Sequence, residues 1–150
     1  MDRRRVVIVG AGEVGASLAF ALTMRGTVTH IFLNDINEDL AEGHVKDLNH
    51  GRLFVPQVQI DTKDADDYLN CEVAVITAGA SQKPGQSRMD LVQKNTDIFK
   101  DMIPEVVERF APRILLIVTN PVDILTYVAL KLSGYDANYV IGSGTLLDSA

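Results

Sequence analysis

Apolar residues along the chain fall into short runs that alternate with longer stretches of helical spacing. The runs at residues 6–9, 31–34, 58–60, 73–77, 114–118 and 139–141 predict six strands. Between them, residues 13–25, 38–50, 88–110 and 121–133 carry apolar positions at helical intervals, and a shorter helical turn is expected near 63–69. Several strands are β-branched and apolar at successive positions, the pattern of parallel strands covered on both faces. This alternation predicts a doubly wound α/β sheet of the Rossmann type, with right-handed crossovers and strand order 3-2-1-4-5-6. In the longest helix Leu91, Asn95, Ile98, Met102, Val106 and Phe110 fall near one face, and Pro104 is expected to kink or divide it.

Composition narrows the classes that remain. A chain of 150 residues, 47% of them hydrophobic, is long enough for one domain with a sizeable core. The formal net charge of -6 argues against a nucleic-acid partner, and the one basic run is Arg3, Arg4 and Arg5. A single cysteine, Cys71, cannot staple the fold; it fits a packing role in a reducing cytoplasm. The start of the chain superficially copies a secretion signal, a charged segment before an apolar one, but Glu13 falls inside the apolar part and argues against it. No stretch is apolar for the ~20 residues that a membrane span requires.

Within "VVIVGAGEVG", Gly10, Gly12 and Gly15 spell G-x-G-x-x-G at the end of a predicted strand and the start of a predicted helix. In that context Gly10 makes the tight turn, Gly12 lets backbone approach a pyrophosphate, and Gly15 permits close helix–strand packing. The phosphates would meet free N–H groups at the helix N-terminus. Asp35 ends the next strand, 20 residues after Gly15. Its carboxylate suits an adenosine ribose and repels a 2′-phosphate, which predicts NAD over NADP. A purely structural turn for the glycines and a helix-capping role for Asp35 are the alternatives.

Ligands of an open parallel sheet lie beyond the carboxyl ends of its strands, so "TAGASQKPGQSR", "TNPVD" and "GSG" should border one crevice. The first of these loops has the glycines and proline of a mobile lid, and Arg88 offers a permanent planar cation for a developing oxyanion. Read from composition alone, Lys83 and Arg88 are better explained as solvated loop charges.

The segments "GAGEVG", "LNDIN", "KDLNHG", "ITAGASQKPGQSR", "LVQKNTDIFKDMIP", "TNPVDILTYV" and "VIGSGTLLDSA", in that order, resemble the N-terminal half of the L-lactate and malate dehydrogenase family. The resemblance runs over essentially the whole chain. It implies that Gly10, Gly12, Val14, Gly15 and Asp35 contact NAD, and that Thr77, Ala78, Gly79, Val118, Asn120 and Ser143 line its nicotinamide side. It further implies that Asn120 hydrogen-bonds the substrate, with an ordinary turn before Pro121, cis in the family, as the plainer reading. Gln82 stands where members acting on malate tend to carry Arg and members acting on lactate tend to carry Gln. A neutral amide leaves a second carboxylate unpaired, which favours lactate, unless Gln82 is merely a solvated loop residue.

By the same resemblance Arg88 swings in with its loop to polarise the C2 carbonyl, and Asp148 orients a catalytic histidine, a helix-start cap being the alternative. The sequence stops at Ala150, where the family continues with the Arg that grips the substrate carboxylate and, later, with Gly-Glu-His-Gly-Asp. His44 and His50, in the helix after Asp35, and His30, ahead of its strand, do not match that histidine. Residues 1–150 are therefore expected to form one NAD-binding domain, lacking the substrate domain and unable to turn over efficiently alone. The partner implied is a small 2-hydroxy or 2-oxo acid, with no nucleic acid, membrane or metal, and a homodimer or homotetramer for the longer form. A stand-alone nucleotide-sensing Rossmann module is the rival from another class, but it has no use for "QKPGQSR" and "TNPVD".

Overall fold

A computed structural model of the chain describes residues 4–63, 65–81 and 84–144. Six strands, β1 (Arg5–Val9), β2 (His30–Asn34), β3 (Gln59–Asp61), β4 (Val73–Ile76), β5 (Ile114–Ile117) and β6 (Val140–Gly142), form one sheet. Its order is β3-β2-β1-β4-β5-β6 and every pairing is parallel, as the sequence pattern requires. Four helices fill the crossovers: α1 (Glu13–Arg25), α2 (Glu38–His50), α3 (Arg88–Phe110) and α4 (Val122–Ser133).

The continuous apolar strands explain the two layers. In β1, Val6 and Ile8 enter a core shared with Ala19 of α1 and Ala41 and Val45 of α2. Val7 and Val9, pointing the other way, enter a second core with Phe99, Ile103 and Phe110 of α3 and Leu125 of α4. Alternation along one strand thus feeds both faces of the sheet.

Details differ from the sequence expectation for identifiable reasons. β1 and β2 begin one residue early, at Arg5 and His30, because Glu72 N–H donates to the Arg5 carbonyl, His30 N–H to the Arg4 carbonyl and Gln59 N–H to the Thr29 carbonyl, extending the ladder. His30 is therefore a strand residue rather than one that precedes the strand. β4 and β5 end at Ile76 and Ile117, since Thr77 and Ala78 both turn their amides to the Val9 carbonyl, and Val118 and Thr119 both turn theirs to the Ile76 carbonyl. β3 and β6 sit one residue later than expected; a 3₁₀ turn, Ala137–Tyr139, closed by Tyr139 N–H on the Asp136 carbonyl, takes Tyr139 out of the strand. The expected turn near 63–69 is a 3₁₀ turn, Ala65–Tyr68, and a second one, Arg52–Phe54, follows α2.

Pro104 does not divide α3, which runs unbroken from Arg88 to Phe110. Pro104 and Lys100, whose carbonyl loses its i+4 donor, both lie on the exposed side, where water serves the freed oxygen. The buried face of α3 is Asn95, Phe99, Ile103, Val106 and Phe110, so Leu91, Ile98 and Met102 border the core instead of filling it. The step of three from Asn95 to Ile98 leaves the i, i+4 row that Asn95, Phe99 and Ile103 define.

Candidate functional site

Strand order reverses between β1 and β4, and a crevice opens beyond the carboxyl ends of these strands. Gly10, just after β1, has φ +109°, and a Cβ there would stand 2.6 Å from the Ala78 nitrogen. Its amide donates to the Asn34 carbonyl at 2.7 Å, and its carbonyl accepts from the Thr77 hydroxyl at 3.0 Å. Gly15 in the first turn of α1 presses on that same carbonyl: an added Cβ would lie 1.8 Å from the Gly10 oxygen. These two glycines let β1, α1 and the end of β4 meet in one junction.

Gly12 serves a different purpose. It is the N-cap of α1, makes no side-chain cap, and a Cβ on it would find nothing within 4 Å. The first amides of α1 thus face open space with the positive end of the helix dipole behind them, the arrangement that receives an anion. Val14 is exposed in the same turn.

Asp35 follows β2 and is half-buried. Its Oδ2 accepts from the Ala11 amide at 2.6 Å and its Oδ1 from the Asn37 amide at 2.8 Å. The carboxylate therefore holds the glycine loop against the end of β2. It does not cap α2; that is done by Asn37, whose Oδ1 accepts from the Leu40 amide at 3.2 Å. Each carboxylate oxygen retains acceptor capacity for further donors such as a ribose diol. Open space at Gly12, an uncapped α1 and this carboxylate fit the pyrophosphate and ribose of a dinucleotide.

Further along the crevice, Thr77 and Ala78 donate their amides to the Val9 carbonyl, both at 2.8 Å, and Val118 donates to Ile76 at 2.9 Å. The buried Thr119 hydroxyl donates to the Ala78 carbonyl at 2.7 Å. Gly79 lies against Thr119 and Asn95, so closely that a Cβ would be 2.4 Å from the Thr119 methyl. Asn120 is exposed and its bond to Pro121 is cis, as the resemblance implied. Its carbonyl accepts from Asn95 Nδ2 at 2.9 Å, while Asn95 Oδ1 accepts from the Ala80 amide at 2.7 Å. Ser143, after β6, donates to the Ile117 carbonyl at 2.9 Å.

Eleven of the residues singled out from the sequence, Gly10, Gly12, Val14, Gly15, Asp35, Thr77, Ala78, Gly79, Val118, Asn120 and Ser143, thus sit on the loops and helix start that follow β1, β2, β4, β5 and β6. Arg88 is not joined to them. It is the exposed first residue of α3, behind a capping box in which Ser87 and Asp90 satisfy each other's backbone amides. Gln82 and Asp148 lie outside the described residues. Two contributors went unrecognised as such in the sequence: Asn95, read only as a face position of α3, and Thr119. For Asn95 the available signal was a polar residue at an apolar position of a buried helix face.

Other features lie away from the crevice. A groove of about 460 Å³ between α1 and α2 is lined by Phe20, Met24, His44, Leu48 and Phe54. It is apolar and lacks the convergent polar groups of the strand-end crevice. Cys71 is buried, and burial, aided by Glu72, pushes its thiol up to about 12, consistent with packing. Among the described residues no His, Cys, Asp and Glu cluster suits a metal ion, and no helix is long and apolar enough to cross a membrane.

Comparison with known proteins bears directly on this crevice. Residues 4–142 match the family model described as lactate/malate dehydrogenase, NAD binding domain. L-lactate dehydrogenase of Acetivibrio thermocellus is 52% identical over 147 residues, covering 98% of this chain and 46% of that relative. L-lactate dehydrogenase 1 of Clostridium acetobutylicum is 48% identical, covering 97% of this chain and 47% of its own length. Among solved structures, the minor L-lactate dehydrogenase of Enterococcus mundtii superposes with a TM-score of 0.92 at 39% identity, over 97% of this chain and 47% of that one. The chain spans about half the length of the curated relatives it matches.

Proposed function

Because the chain belongs to the lactate/malate dehydrogenase family and carries its NAD-binding domain, we propose that it is the cofactor half of an L-lactate dehydrogenase. The observation that carries this reading is the continuous rim from Asp35 through the uncapped start of α1 to Asn120. At one end Asp35 receives the adenosine ribose and the amides after Gly12 receive the pyrophosphate. At the other, Thr77, Ala78, Gly79, Val118 and Ser143 line the nicotinamide side, and the Asn120 amide hydrogen-bonds the substrate oxygen. When bound, NAD supplies the redox chemistry, exchanging a hydride with C2 of a small 2-hydroxy or 2-oxo acid.

Arg88 polarises the oxygen on C2 when its loop closes. Its position supports that role, because a cation at the first residue of a helix opposes the macrodipole, a placement with a local cost. An amide at Gln82, in place of a cation, favours lactate over malate. Asp148 orients a histidine supplied by the substrate-binding half, which also supplies the Arg that grips the carboxylate. The longer protein works on a dissolved acid in the cytoplasm, as a homodimer or homotetramer.

Titration of the chain with NADH and, separately, NADPH tests the cofactor reading. Saturable NADH binding with NADPH at least tenfold weaker is expected, and equal binding of the two, or none, overturns the reading. In a lactate assay the 150-residue chain is expected to turn over far below ordinary enzyme rates of about 1–10³ s⁻¹; ordinary rates would overturn the assignment of catalysis to a second half.

A further inference from the structure

Asn95 is fully buried in the second turn of α3, yet its side chain reaches two loops that come from different strands. Its oxygen accepts from the Ala80 amide at 2.7 Å, on the loop after β4. Its nitrogen donates to the Asn120 carbonyl at 2.9 Å, on the turn after β5, with a longer contact to the Ala80 carbonyl at 3.5 Å. Thr119 ties the same two segments from the other side by donating to the Ala78 carbonyl. Gly79 is wedged between Asn95 and Thr119.

Resting on the cofactor reading above, we propose that Asn95 is a positioning residue that sets the nicotinamide end of the site by locking Ala80 and Asn120 at one separation. The chemistry of the amide supports this. The junction needs an acceptor on one side and a donor on the other, in a space of fixed width. A primary amide offers both, on two atoms of one rigid plane. A carboxylate at the same place would turn a lone pair toward the Asn120 carbonyl, and an alkyl side chain would leave the Ala80 amide and that carbonyl without partners. The anchor also divides α3 functionally: Arg88 lies two turns ahead of it and is exposed, whereas from Asn95 onward the helix is packed into the core. Asn95 does not touch the adenosine end, which is built on Asp35 and the glycine loop.

That separation makes the role testable against simple destabilisation. NADH fills both ends of the site; ADP-ribose fills the adenosine end and reaches the nicotinamide end only with its second ribose. In calorimetric titrations of the 150-residue chain, Asn95→Asp is expected to weaken NADH tenfold or more while ADP-ribose affinity stays within about twofold. Thr119→Val, isosteric and removing the opposite tie, is expected to show the same selective loss and serves if Asn95→Asp does not fold. Unchanged NADH affinity in these variants, or a parallel loss of both ligands, overturns the proposal. A wild-type chain that binds neither ligand overturns the cofactor reading instead, and this inference with it.

Discussion

Replacing Asp35 separates two roles that the sequence merges into one. In the absence of ligand its carboxylate already accepts from Ala11 at 2.6 Å and Asn37 at 2.8 Å. In Asp35→Ala the Asn37 amide is exposed and turns to water. The Ala11 amide belongs to a fully buried residue and is left without its partner. An orphaned buried donor costs about 1–3 kcal/mol, so a loss near 2 kcal/mol is expected. For a domain of this size that is a fall in Tm of about 4–8 °C. Binding suffers separately, because two ribose hydrogen bonds to a charged acceptor are lost, about 3 kcal/mol together, or roughly 100-fold in NADH affinity. Asp35→Asn divides the effects: its amide oxygen still accepts from Ala11, so Tm stays within about 2 °C of wild type, while NADH weakens and the preference over NADPH narrows. Differential scanning fluorimetry without ligand, paired with NADH and NADPH titrations, reads both. An Asp35→Ala chain with wild-type Tm, or an Asp35→Asn chain as unstable as Asp35→Ala, would refute the reasoning.

Two glycines five and two residues beyond Gly10 predict opposite outcomes. Gly15→Ala forces a Cβ to within 1.8 Å of a backbone oxygen and is expected to cost at least about 3 kcal/mol, seen as a large fall in the denaturation midpoint. Gly12→Ala meets open space at an ordinary φ of -67°, so stability should change by less than about 0.5 kcal/mol while NADH affinity drops tenfold or more. At the start of α3, hydrogen bonds from Ser87 hold the Asp90 carboxyl below its ordinary value. A lowered folded-state value means that its stabilisation is present above the unfolded value, about 4, and is lost as pH falls through the folded value. The Tm gap between wild type and Asp90→Asn should therefore be widest at neutral pH and close below about pH 3; a gap independent of pH would contradict the capping box.

Much of this domain is written locally. The unbroken apolar run in "RVVIV" already says that both faces of β1 are covered, and Gly10, Gly12 and Gly15 after it say that a tight turn opens a helix. Asp35 announces itself by its distance from those glycines and its place at a strand end. The roles proposed for Gln82 and Asp148, by contrast, rest only on likeness to a family, since a lone amide or carboxylate carries no local pattern.

What local pattern could not carry is the set of partners that the sheet brings together. Asn95 reads as one more position on a helix face, because periodicity records which side of a helix is inward and nothing about what waits there. Its partners lie 15 and 25 residues along the chain, and only the placement of β5 beside β4 delivers both to its amide. Pro104 is a helix breaker by its ring alone, yet the exposed side it occupies leaves α3 whole. Asp35 could have been a cap until the β1–β2 register brought the Ala11 amide to its oxygen. The sequence by itself determined the elements, their buried faces and the chemistry available at the strand ends, because these depend on neighbours within a few residues. Which polar group satisfies which was decided by tertiary structure, because a buried donor or acceptor takes the partner that the sheet order places within hydrogen-bonding distance.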